Sequence, residues 1–90
     1  SEPSKEDGEE NGRDEYFEQA ARLCIEKDKG STSMLQRQFR VGFNRAARIM
    51  EQLYDAGIVG QEEQNKPRKI LMSMEQFDEY ISGNNKKEEQ

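Results

Sequence analysis

The stretch LQRQFRVGFNRAARIMEQLYDAG, Leu35 to Gly57, constrains the fold more than any other part of the chain. Apolar residues return at helical spacing on both sides of Val41-Gly42, so two helices meet across a short turn containing glycine, the helix-turn-helix pattern. The first is expected to start at a Ser33 cap, with Gln36 completing a capping box, and to run to about Arg40, burying Leu35 and Phe39. The second is the strong segment FNRAARIMEQLYDA, with Gly57 where a left-handed C-cap belongs. At about 100° per residue, Phe43, Ala46, Ala47, Ile49, Met50, Leu53 and Tyr54 fall on one broad side of it. Asn44, Arg48, Glu51, Gln52 and Asp55 fall opposite, with Arg45 on the flank. The small Ala46 and Ala47 let a neighbouring helix approach closely.

Upstream, Phe17, Ala20, Ala21 and Cys24 recur at spacings of three and four, giving an amphipathic helix from an Asp14 cap to about Asp28, ended by Lys29-Gly30. Cys24 belongs to that apolar face and is read as core. Ser31 to Ser33 follow as a brief extended segment. Downstream, Ile58-Val59 and Ile70-Leu71-Met72 flank the polar turn from Gln64 to Pro67, a hairpin pattern. Ser73 and Gln76 form a second capping box before a helix carrying Phe77, Tyr80 and Ile81. Helix, short strand, helix, helix, hairpin, helix is the order of an α+β winged helix. It has a three-helix core, a two- to three-stranded wing and an extra C-terminal helix. The folded unit is expected over residues 14–82, between an acidic disordered linker at 1–13 and a disordered tail at 83–90.

The charge is unevenly spread. Residues 1–15 hold seven acidic and two basic side chains, which accounts for the whole net charge of -5. Residues 29–69 hold eight basic and four acidic ones, a net of +4. Histidine is absent and Cys24 stands alone, and no phosphate-cradling glycine loop is present. Neither a catalytic group nor a metal nor a cofactor is therefore expected. No apolar run approaches the length of a membrane span, no signal peptide is visible, and the chain begins at Ser1, so it is read as an excised piece of a longer protein. A binding role follows.

The outward face of FNRAARIMEQLYDA suits the edges of base pairs. Arginine pairs bidentately with guanine, asparagine with adenine, and glutamate accepts from the cytosine amino group. Asn44, Arg48 and Glu51 lie within reach of a single groove. Arg37, Arg40, Arg45, Lys66, Arg68 and Lys69 are placed to serve phosphates or support the readers, as is Gln52. The same pattern suits a plain solvated face or a protein-docking module, and cations on an edge strand also discourage aggregation.

The string LQRQFRVGFNRAARIMEQLYDAGIVG, Leu35 to Gly60, followed by KPRKILMS, Lys66 to Ser73, resembles the C-terminal gamma domain of the FtsK/SpoIIIE family of bacterial DNA translocases. The resemblance covers about residues 14–82. It implies a winged helix tethered to a hexameric ATP-driven motor, reading short, G-rich, skewed double-stranded DNA sequences and so orienting the pump during chromosome segregation. Several gamma domains share one site in the family, and FtsK members also contact a Xer tyrosine recombinase. The base readers implied are Asn44, Arg48 and Glu51, and Phe43 replaces a tyrosine common in the family. The implied location is the bacterial cytoplasm, without membrane contact by this domain, the parent being anchored at the division septum. A recombinase-docking module and a stand-alone transcription regulator are the competing functional readings.

Overall fold

The computed structural model describes residues 12–89, with side chains as far as residue 83. The expected linker at 1–13 lies almost wholly outside that range. Four helices form among the described residues: α1 (Phe17–Lys27), α2 (Thr32–Phe39), α3 (Phe43–Asp55) and α4 (Met74–Glu89). Helix α3 packs on α2 and α1, and α1 also packs on α4. Much of each expected apolar face turns inward: Phe17, Ala20, Ala21 and Cys24 from α1, Ala46, Ile49, Met50 and Leu53 from α3, and Phe77 from α4, while Ala47, Tyr80 and Ile81 are only half-buried. From α2, Met34 and Leu35 enter the core while Phe39 stays half-buried, stacked on Tyr16 with ring centres 4.7 Å apart. Full burial of a side chain such as Leu35, Ile49 or Leu53 contributes about 1.5–3 kcal/mol, so α3 is the axis of the fold. Burial also pushes the Cys24 thiol up to about 11, against the pull of the Ser31 backbone hydrogen bond.

The helix ends differ in detail from expectation. Helix α1 begins after Tyr16, and Asp14 makes an Asx turn instead of capping it, its Oδ1 accepting from Tyr16 N at 2.9 Å. The helix closes on Asp28, which takes the left-handed conformation at φ 57° before Gly30 is reached. Helix α2 is capped by Ser31, not Ser33: its hydroxyl accepts from Met34 N at 3.2 Å. The cause lies in Gly30, which is pinned to Arg68 by two backbone hydrogen bonds of 2.8 Å, leaving the chain free to turn into a helix immediately afterwards. Between α2 and α3 the left-handed residue is Arg40, at φ 55°, while Gly42 is extended and serves as N-cap of α3. Gly57, at φ 82°, does take the left-handed position after α3, and Ser73 and Gln76 exchange both bonds of the expected capping box at 2.8 and 3.0 Å.

The expected hairpin is reduced to isolated antiparallel bridges among the described residues: Gly30 with Arg68, Val59 with Ile70, and Glu63 with Lys66. Backbone bonds from Gly60 to Lys69 and from Leu71 to Ile58 flank the middle bridge. Beyond it the chain runs through Gln61, Glu62, Gln64, Asn65 and Pro67, residues of weak strand propensity and, at the proline, no N–H to donate. The described residues thus form four helices with little strand. Helix α4 also runs past residue 82, through part of the stretch read as a disordered tail, to Glu89. Lys86, Lys87, Glu88 and Glu89 are good helix formers in spite of their polarity.

Candidate nucleic-acid interface

Helix α3 exposes Asn44, Arg48 and Glu51 within about 60° of arc, as their 100° spacing requires. Neither Asn44 nor Arg48 has a side-chain hydrogen bond or ion pair among the described residues. Arg37 and Arg40 on the α2 side, and Lys66 and Lys69 beyond α3, are also exposed. The remaining four residues named from sequence are engaged within the protein. They hold the outward face from both flanks.

On one flank, Arg45 gives Asp14 a bidentate pair, Nε to Oδ2 at 2.8 Å and Nη2 to Oδ1 at 2.9 Å, with Glu15 at 3.3 Å. The Asp14 carboxylate is almost completely buried, its side chain 2% exposed. Burial works against its charge, but the Arg45 and Tyr16 hydrogen bonds, with the charges of Arg45 and Arg48, win and hold its pKa below the ordinary aspartate value. The Arg45 guanidinium is correspondingly raised, chiefly by the Asp14 bond. Gln52 ties down the same segment, accepting from Asp14 N at 2.8 Å and donating to the Gly12 carbonyl at 3.1 Å. Arg13 then lies over Phe17 and reaches the Tyr80 hydroxyl. Arg45 is therefore a clasp for the entering chain, its guanidinium already paired with Asp14.

On the other flank, Arg68 is buried, and its Nη2 donates to Glu51 Oε2 at 3.0 Å. The backbone bridge to Gly30 and the bond to Glu51 hold both ends of this side chain within the protein. Between α3 and this segment runs an open groove whose walls include Ser31 to Ser33, Phe43, Ala47, Lys66 and Pro67. Phe43 and Tyr54, placed on the core side by the 100° wheel, are exposed at 62% and 43%. Both lie at the ends of α3. Sequence reasoning misses Phe43 and the first turn of α2 as part of this surface. Only the position of Phe43 beside the Gly42 break hints at it.

What emerges is a small helical domain that presents one exposed helix face between two ion-paired clasps. Residues 11–73 match the Ftsk gamma domain, so the chain belongs to that family, a DNA-binding and non-catalytic domain of DNA translocases. Over 69 residues it is 44% identical to the DNA translocase SpoIIIE of Bacillus subtilis, covering 77% of this chain and 9% of that protein. It is 49% identical over 61 residues to the DNA translocase FtsK of Clostridium tetani, covering 68% and 8%. With the DNA translocase FtsK of Streptococcus pneumoniae the identity is 55% over 60 residues, covering 67% and 8%. The chain thus spans under a tenth of the length of these relatives. No helix among the described residues is long and apolar enough to cross a membrane.

Proposed function

We propose that this domain reads short, G-rich, asymmetric double-stranded DNA with Asn44, Arg48 and Glu51, and thereby orients a hexameric translocase whose motor lies elsewhere in the same protein. The observation that carries the reading is the pairing pattern of α3. Its outward amide and guanidinium are unengaged among the described residues, while the arginines on its flanks are committed to Asp14 and Glu51. Helix α3 enters the major groove, Arg48 takes a guanine bidentately, Asn44 an adenine, and a carboxylate oxygen of Glu51 a cytosine amino group. Arg37, Arg40, Lys66 and Lys69 meet phosphates on either side, the last two from a short wing spanning Val59 to Leu71 in a winged-helix arrangement. Residues 1–13 act as tether, and residues 14–82 as the recognising unit. Further gamma domains on neighbouring positions raise affinity through effective concentration. The parent protein works at the division septum, with this domain on the cytoplasmic side.

Selection from random duplexes tests the reading, since it reports both the word and its asymmetry. A G-rich, non-palindromic word is expected, and recovery of no preferred word refutes the proposal. A second reading, docking to a Xer recombinase, draws on the exposed Leu71 and Tyr54. Titration of duplex at two salt concentrations separates them: a phosphate-binding surface weakens steeply with salt, whereas a pure docking module binds duplex at neither.

A further inference from the structure

Arg68 occupies a position from which a wing cation is expected to reach a phosphate, yet its residue is 9% exposed. Both ends of it are fixed. Its backbone is bridged to Gly30, where an added Cβ would come within 3.1 Å of the Arg68 Cβ, a tight contact that a larger residue could make only by pushing Arg68 back. Its head donates to Glu51 Oε2 at 3.0 Å and to the Gly60 carbonyl at 3.4 Å, with the Tyr54 ring centre 5.7 Å away. Glu62 stands at 4.0 Å but is 84% exposed, so Glu51 is the closer carboxylate. The Glu51 side chain is itself 61% exposed and would otherwise have its torsions to order on meeting a base. A charge-assisted bond to one oxygen orders it beforehand. The other oxygen, Oε1, has no partner among the described residues.

We infer that Arg68 is a positioning residue for base reading: it sets the rotamer of Glu51 and leaves one carboxylate oxygen to accept from a base amino group, while contacting no phosphate itself. This rests on the DNA-reading role of Glu51 proposed above. Preordering at this point sharpens discrimination at one base pair instead of adding to overall affinity, because the hydrogen bond it supports is specific to that pair. A phosphate ligand behaves in the opposite way, its removal weakening all duplexes alike.

The test is a double-mutant cycle of Arg68→Met and Glu51→Gln, with duplexes carrying the selected word and each single substitution of it, titrated at several salt concentrations. Arg68→Met is expected to lose discrimination by about fivefold or more at the base pair where Glu51→Gln loses it. It should add nothing in the Glu51→Gln background, and its salt slope should match that of the wild type. A slope lower by about one, or equal weakening on every duplex, overturns the inference. So does additivity of the two substitutions. If Arg68→Met lacks the wild-type far-UV spectrum, the guanidinium NMR signal of Arg68 in the wild-type frame decides. It should move on Glu51→Gln and stay put when duplex binds, and the reverse pattern refutes the assignment. A wild type that binds selected and scrambled duplexes equally sinks the base-reading proposal, and this inference with it.

Discussion

Removing the Asp14 carboxylate tests whether the α3 flank is held from the N-terminal side. In Asp14→Ala the bidentate pair with Arg45 disappears and Tyr16 N–H loses its acceptor. Hydrogen bonds to charged groups contribute about 1.5–3 kcal/mol, and a stranded donor costs about 1–3. Arg45 is 32% exposed and regains water, so the full penalty of a stranded buried charge does not apply. About 3 kcal/mol is expected, which for a domain of this size lowers the melting temperature by roughly 12–24 °C. Asp14→Asn keeps an oxygen for Tyr16 N–H and should show about half of that. The folded pKa of Asp14 is lowered, so its stabilisation is complete above the ordinary aspartate value of 3.8 and is lost as pH falls through the lower folded value. Melting followed by circular dichroism should therefore show a wide gap between wild type and Asp14→Ala at neutral pH that narrows in acid. A gap under about 2 °C at neutral pH, or one that persists undiminished in acid, refutes the reasoning.

Other substitutions separate stability from recognition. Arg48→Ala should cost about 1–3 kcal/mol of discrimination at a guanine in fluorescence-anisotropy titrations. Its denaturant midpoint should barely move, since the side chain is exposed. Lys66→Ala should weaken binding to all duplexes alike and reduce the salt slope by about one. Gly30→Ala must displace Arg68, and a loss of about 1–3 kcal/mol is expected in urea unfolding.

Much of this architecture is legible in the sequence because it depends on neighbours within a few residues. The Ser73 and Gln76 box, the Gly57 cap and the inward faces of α1 and α3 are of that kind. Periodicity also picks out the outward arc of Asn44, Arg48 and Glu51. What it cannot supply are partners distant in sequence. Nothing local to Arg45 indicates Asp14, thirty-one residues away, or at Arg68 indicates Glu51, seventeen away, and from sequence both arginines look like free cations. A helical wheel likewise treats Phe43 and Tyr54 as core, because it contains no information on where the neighbouring helices stop. The wing is overestimated for a related reason: two apolar runs suggest strands, but the polar link between them pairs only at isolated positions.

Titrating the ¹⁵N-labelled domain with a G-rich skewed duplex, and with a scrambled duplex of the same composition, tests the central claim most directly. Amide and side-chain signals of Asn44, Arg48 and Glu51 should shift most, and more with the skewed word, while those on the Arg22–Asp78 side of α1 and α4 stay still. Shifts centred on α1 and α4, or identical shifts with both duplexes, contradict the account.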